Sequence, residues 1–421
     1  MSPSARRLTA IVTLVLVLAL VAVLTLRAFG VPIAIGPLAS ATPLPVPTAT
    51  APPSGEASPG IEELLAAIEA DVADLRDLPA AESGPAEFVT GPEFDQRLAD
   101  QFAVDYPPDE LAADTVLYQA LGLLTQDQDL AALRLQLLSG QVLGYYDTVS
   151  QSMVIVTDAG LTPEAQVTYA HEYTHALQDA QFGIASLDEG VEGNDDGAFA
   201  RLGLIEGDAT TAMVLWAIDN LSAEDLLHIS QTPLPDTAGV PDWMLAQLEF
   251  PYVDGTAFVS ELYARGGFAA VDEAWAGPPV STEQVLHFRA YLQDEVPVAV
   301  AAFDGDADGL GLDVVQDTTF GEAMISIWLA ALGIDADDAA AAAAGWGGDH
   351  VTAMAADDGS VAVVLRLAWD SKVDADEFAA AYADALETLP AHGRLDRVGD
   401  TEVVVTQAST QALLDSLAGA P

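Results

Sequence analysis

The sequence predicts a helix-rich α+β protein: one transmembrane helix, a large main domain, and a small α+β unit at the C-terminus. Three observations carry that expectation. Leu8 to Leu26 is apolar and free of charge. From Ile61 onward, apolar residues recur mostly at steps of three and four, the period of a helix with one buried face. After position 345, short β-branched runs alternate with helical patterns. With 421 residues and 51% apolar content, the chain has material for a sizeable core.

The charge balance narrows the function classes. Thirteen basic residues stand against 65 acidic ones, for a net charge of −52, and Lys372 is the only lysine. Such a field repels nucleic acid and anionic membrane surfaces. It gives a heavily solvated acidic surface, of the kind expected for high-salt adaptation or for a genome that avoids lysine. There is no cysteine, which excludes disulfides, thiolate metal sites and a lipidated N-terminal cysteine.

In chain order, residues 1–7 carry Arg6 and Arg7 and read as a cytoplasmic N-terminus. The apolar run within 8–29 reads as the transmembrane anchor, with a cleaved signal peptide as the rival; as a helix, Leu8 to Leu26 would rise about 28 Å, enough to cross a bilayer core. Everything after Arg27 would then lie outside the cell. Residues 30–60, rich in Pro, Ala and Thr, read as an extended spacer. A main domain is expected over 61–344 and the small α+β unit over 345–421. Helices are expected over 61–78, 92–102, 108–124 and 127–138, with a short strand at 86–90. Gln141 to Tyr146 and Ser152 to Thr157 read as a hairpin. Thr162 and Pro163 open a helix as N-cap and first-turn residue, and Gly183 ends it. Another helix is expected over 197–219, capped by Asp195 or Asp196. Phe250 to Tyr263 reads as a loop entering a helix. Asp304 to Gly309 opens like a calcium loop, but position twelve falls on Val315, so an acidic loop is expected.

The chemistry centres on His171-Glu172-Tyr173-Thr174-His175, an H-E-x-x-H on the helix that Thr162 opens. Histidines four apart lie on one helical face and can reach one metal ion. The glutamate after the first can hold and deprotonate water at that metal. Two of only six histidines fall here. A catalytic zinc site needs a third ligand. Glu206 is the first choice, because it sits mid-helix in an apolar stretch, where a carboxylate must be exposed, paired or bound to metal. Gly207 beside it would let another backbone approach. Asp208 is a rival ligand or a group that orients a ligand histidine, and His228 is a weaker rival. Tyr252 and His287 are candidates to stabilise a developing oxyanion.

H-E-x-x-H on one helix with Glu206-Gly207-Asp208-Ala209 on a second resembles the gluzincin branch of zinc metallopeptidases. More narrowly, it is similar to a poorly characterised set of bacterial membrane-anchored metallopeptidases. The matching pieces include Gly144 to Asp147, Ala170 to Asp179, Ile205 to Thr210, Pro251 to Val259 and Ser281 to His287. The resemblance implies a zincin-like core over 61–344, Zn2+ held by His171, His175 and Glu206, and Glu172 as general base. It also implies a peptide or protein substrate. One departure is visible: better-known gluzincins carry an acidic residue four after the ligand glutamate, and Thr210 stands here.

The expected function is therefore that of a cell-surface zinc metallopeptidase, attached to the membrane by its N-terminal helix. The alternative is a catalytically inactive anchored binding protein on the same scaffold. A decayed scaffold would be expected to lose Glu172 or a ligand first, and all are present.

Overall fold

The computed structural model describes residues 10–14, 59–82, 84–157, 160–188, 190–232, 237–386 and 392–417. The architecture is helix-rich α+β with two sheets.

The expected transmembrane helix is the main correction. Ala10–Leu14 forms a strand, β1, and among the described residues no helix is long and apolar enough to cross a membrane. The physical reason lies in the run itself: Ile11, Val12 and Thr13 are β-branched and suit an extended backbone as readily as a helix. The rest of 8–29 and the spacer up to 58 lie outside the described residues.

The first half contains α1 (Pro59–Arg76), β2 (Glu87–Val89), α2 (Gly91–Asp105), α3 (Pro108–Ala120) and α4 (Leu130–Gln141). The hairpin β3 (Val142–Asp147) and β4 (Ser152–Val156) follows. The sheet order is β1-β3-β4-β2. β2 runs parallel to β4, while β1 and β4 flank β3 in antiparallel register. β3 is thus paired on both sides, by β1 and by β4.

The next helices are α5 (Pro163–Phe182), α6 (Asp195–Asn220), α7 (Ala223–Ser230), α8 (Asp242–Gly266) and α9 (Phe268–Ala276). The local signals for α5 act as expected. The Thr162 hydroxyl accepts from the Ala165 amide, Pro163 starts the helix, and Gly183 ends it at φ 72°. The cap of α6 differs: Asn194, not Asp195 or Asp196, accepts from the Gly197 amide. Asp196 turns inward and accepts from the Thr282 amide and hydroxyl. Phe250 to Tyr263 is not a loop but the middle of α8, with Pro251 inside the helix. Short helices α10 (Thr282–Leu286) and α11 (Phe288–Leu292) complete this part.

The remaining elements are β5 (Asp313–Thr318), α12 (Gly321–Ala331), α13 (Ala336–Ala343), β6 (Trp346–Ala355), β7 (Val361–Trp369), α14 (Lys372–Leu386), β8 (His392–Arg397), β9 (Glu402–Ala408) and α15 (Gln411–Leu417). They form an antiparallel sheet in the order β5-β6-β7-β9-β8, which begins upstream of position 345. Alternate residues of the central strands enter different cores, as the two-residue period of a strand requires. Val351, Val363, Leu365 and Val405 pack with helices of the main body. Met354, Ala362, Val364 and Ala408 pack against Leu414 and Leu417 of α15.

Candidate metal centre

α5 and α6 cross in the interior and bring three of the expected residues together. His171 Nε2 lies 2.9 Å from His175 Nε2 and 3.2 Å from Glu206 Oε2, and His175 Nε2 lies 3.6 Å from the same carboxylate oxygen. All three side chains are buried, and these donors could hold a metal ion. Tetrahedral zinc with bonds of about 2.0–2.1 Å places neighbouring donor atoms about 3.3 Å apart. The three observed separations bracket that value, so the donor set fits the ion.

The tautomer of His175 follows from its neighbours. Gln178 donates through Nε2 to the Ile205 carbonyl and to Asp208 Oδ2, both of which only accept. Its Oε1, 2.8 Å from His175 Nδ1, must therefore take the proton that Nδ1 carries. That leaves Nε2 with a lone pair aimed at Glu206 and His171. The arrangement is the usual means of orienting a ligand imidazole, with an amide in place of a direct carboxylate.

Asp208 anchors this chain and lies outside the three-donor cluster. It accepts from Trp275 Nε1 at 3.1 Å and pairs with the fully buried Arg76, whose Nε lies 3.0 Å from Oδ1. Arg76 also pairs with Asp272 at 2.9 Å and stacks over Phe268. The order from the site outward is His175, Gln178, Asp208, Arg76, Asp272. Thr210, which stands where better-known gluzincins have an acidic residue, does not enter it. Gln178, Arg76 and Trp275 are the participants that sequence reasoning did not assign. The signal for Gln178 was available, since three residues after His175 is the same helical face.

Glu172 is buried beside the three donors, and neither of its oxygens makes a well-aligned hydrogen bond among the described residues. Burial pushes its carboxyl up to about 8, opposed by His175 and the Tyr146 backbone and reinforced by Glu206. Burial also pushes His171 down to about 4. For His175, burial works against the charged ring, but Glu206 outweighs it and the pKa is raised. Burial acts to raise Glu206 as well; the two histidines win and hold it below its ordinary value.

Tyr252 of α8 reaches the site. Its hydroxyl hydrogen-bonds Glu206, and its ring lies 6.4 Å from that of His171. His287 does not: it pairs with Glu322 at 2.7 Å and takes no part in the cleft that Glu206 and Tyr252 line. His228 is largely exposed and sits 3.4 Å from Glu164.

The close approach expected at Gly207 is present. A Cβ there would stand 2.2 Å from the Gly255 carbonyl oxygen, and one at Gly255 would stand 2.2 Å from that of Gly203. These glycines let α8 lie directly on α6, which is how Tyr252 meets Glu206. Gly207→Ala is expected to lower stability by about 1–3 kcal/mol in denaturant unfolding, because backbone cannot yield as a side chain can. No measurable loss would show that the helices separate freely.

The cleft has a volume of about 310 Å3. Glu206 and Tyr252 are among its lining residues, and Leu98, Phe102, Leu117 and Phe199 contribute to a mostly apolar wall.

A domain of unknown function, DUF8575, matches residues 311–417, which span the five-stranded sheet and its helices. No curated protein and no solved structure matches the chain.

Proposed function

We propose that the protein is a zinc-dependent metallopeptidase in which His171, His175 and Glu206 hold the metal and Glu172 is the general base. The observation that carries this reading is the convergence of three buried donors, 2.9–3.6 Å apart, beside a buried carboxylate with no well-aligned hydrogen bond. When bound, Zn2+ supplies a Lewis acid and lowers the pKa of water to about 7.

The chain's own residues supply the rest. Gln178 and Asp208 keep the His175 lone pair on the metal side. Glu172 takes the proton of the attacking water and returns it to the leaving amine nitrogen. The Tyr252 hydroxyl, already aimed at the donor cluster through Glu206, faces the developing negative charge on the carbonyl oxygen. The apolar cleft beside Glu206 receives a large apolar side chain of the substrate and keeps water from the buried end.

The test uses the purified full chain. One zinc per chain, cleavage of a mixed peptide library, loss of cleavage with a chelator and recovery with added zinc are expected. Protein that carries no zinc, or that cleaves equally with and without chelator, would overturn the proposal. Zinc without hydrolysis of any peptide would favour a binding protein.

A further inference from the structure

A second group of carboxylates lies where the α10 region meets the five-stranded sheet. Glu283 comes from α10, Glu295 from the segment after α11, and Asp370 from the turn after β7. One carboxylate oxygen from each lies within 4.8 Å of the others. Glu322 of α12 acts on the same cluster, and the nearby His287 is already committed to Glu322 Oε1.

Acidic clusters are common on so acidic a chain, and proximity alone would mean little. The informative member is Glu283. The residue is only 5% exposed, and no hydrogen bond to its carboxylate is seen among the described residues. A buried carboxylate facing two others with no donor is costly unless a cation or a proton joins it. Glu322 adds a further buried oxygen, Oε2, without a partner. Burial first, then Glu322, Asp370 and Glu295, push the Glu283 carboxyl up to about 8, with His287 acting in the opposite direction.

The backbone holds these groups in place. Gln284 Nε2 donates to the Glu295 carbonyl at 2.7 Å, fixing that segment against α10. The Val298 amide donates to the Gly347 carbonyl, and the Asp370 amide to the Gly345 carbonyl. Three distant stretches of chain are therefore presented to one point by contacts that do not involve the carboxylates.

We propose that Glu283, Glu295 and Asp370 form a site for a hard divalent cation, calcium first, that ties residues 311–417 to the rest of the chain. An all-oxygen, all-carboxylate donor set selects calcium over zinc or copper. Glu295 and Asp370 are exposed, which leaves room for the waters that complete a shell of six to eight oxygens. The site is separate from the His171–His175–Glu206 centre, and the inference does not rest on the peptidase reading.

The experiment titrates Ca2+ into the full chain, dialysed into calcium-free buffer, by calorimetry, and follows Tm. One saturable site and a rise in Tm of about 3 °C at saturation are expected. Both should be absent in Glu283→Gln, with zinc content unchanged. Asp370→Asn, which keeps the size of an exposed side chain, provides the same comparison should the first variant fold poorly. Equal Tm shifts in wild type and Asp370→Asn would be general screening of the acidic surface and would overturn the site, as would no saturable binding.

Discussion

Replacing Glu172 with Gln is expected to leave the metal in place and lower peptide hydrolysis by at least 10²–10⁴-fold, the range attributed to a positioned general base. The substitution keeps the side chain's size in a fully buried position. It removes the one buried carboxylate at the centre that is not itself a donor in the three-atom cluster. Because His171, His175 and Glu206 are untouched, zinc stoichiometry should equal that of wild type. The loss should appear in kcat rather than in KM, since Glu172 acts on the proton of the attacking water and not on the substrate's side chain. Unchanged kcat in zinc-loaded Glu172→Gln would remove it from the mechanism.

Arg76→Met should be the most damaging substitution outside the centre. Arg76 and Asp208 are both fully buried, and they pair at 3.0 Å. Removing one partner of a buried pair leaves the other charge uncompensated, at a cost of about 3–5 kcal/mol. Trp275 and Gln178 still donate to Asp208, but both are neutral. A carboxylate that draws Gln178 differently also shifts the amide that fixes His175. Zinc affinity should therefore fall about 10–100-fold, as for other changes behind a metal-bound histidine. Denaturant unfolding and a competitive zinc titration measure the two effects. Adding Asp208→Asn should restore part of the stability, because the orphaned charge is then gone. A stability loss under about 1 kcal/mol would show that Arg76 is not what compensates Asp208.

How much of this was legible in the chain depended on whether the signal was local. Thr162, Pro163 and Gly183 define α5 from within a few residues, because capping is a contact between sequence neighbours. The α6 cap was missed by one residue, since Asp196 serves Thr282 86 positions away instead. The H-E-x-x-H spacing places two of the three donors unaided, and the apolar setting of Glu206 pointed to the third. Gly207 was readable as a place of close approach, although nothing local named Gly255 as its neighbour. Arg76 could not be read as the partner of Asp208, because 132 residues separate them and only the packing of α1 on α5 and α6 unites them. The polar strand His392–Arg397 carries no apolar alternation and is a strand only because β9 pairs with it. The N-terminal run misled for the opposite reason: its apolar content is strong, but hydrophobicity does not by itself choose between helix and strand.

The most direct test of the central claim is X-ray absorption at the zinc edge on the full chain, with Glu206→Gln and His175→Ala beside it. The account predicts one zinc per chain, with two imidazole nitrogens and oxygen ligands at about 2.0–2.1 Å. It predicts the loss of an imidazole contribution, or of the metal itself, in His175→Ala. A wild-type protein with no zinc, or a zinc environment that neither substitution changes, would contradict it.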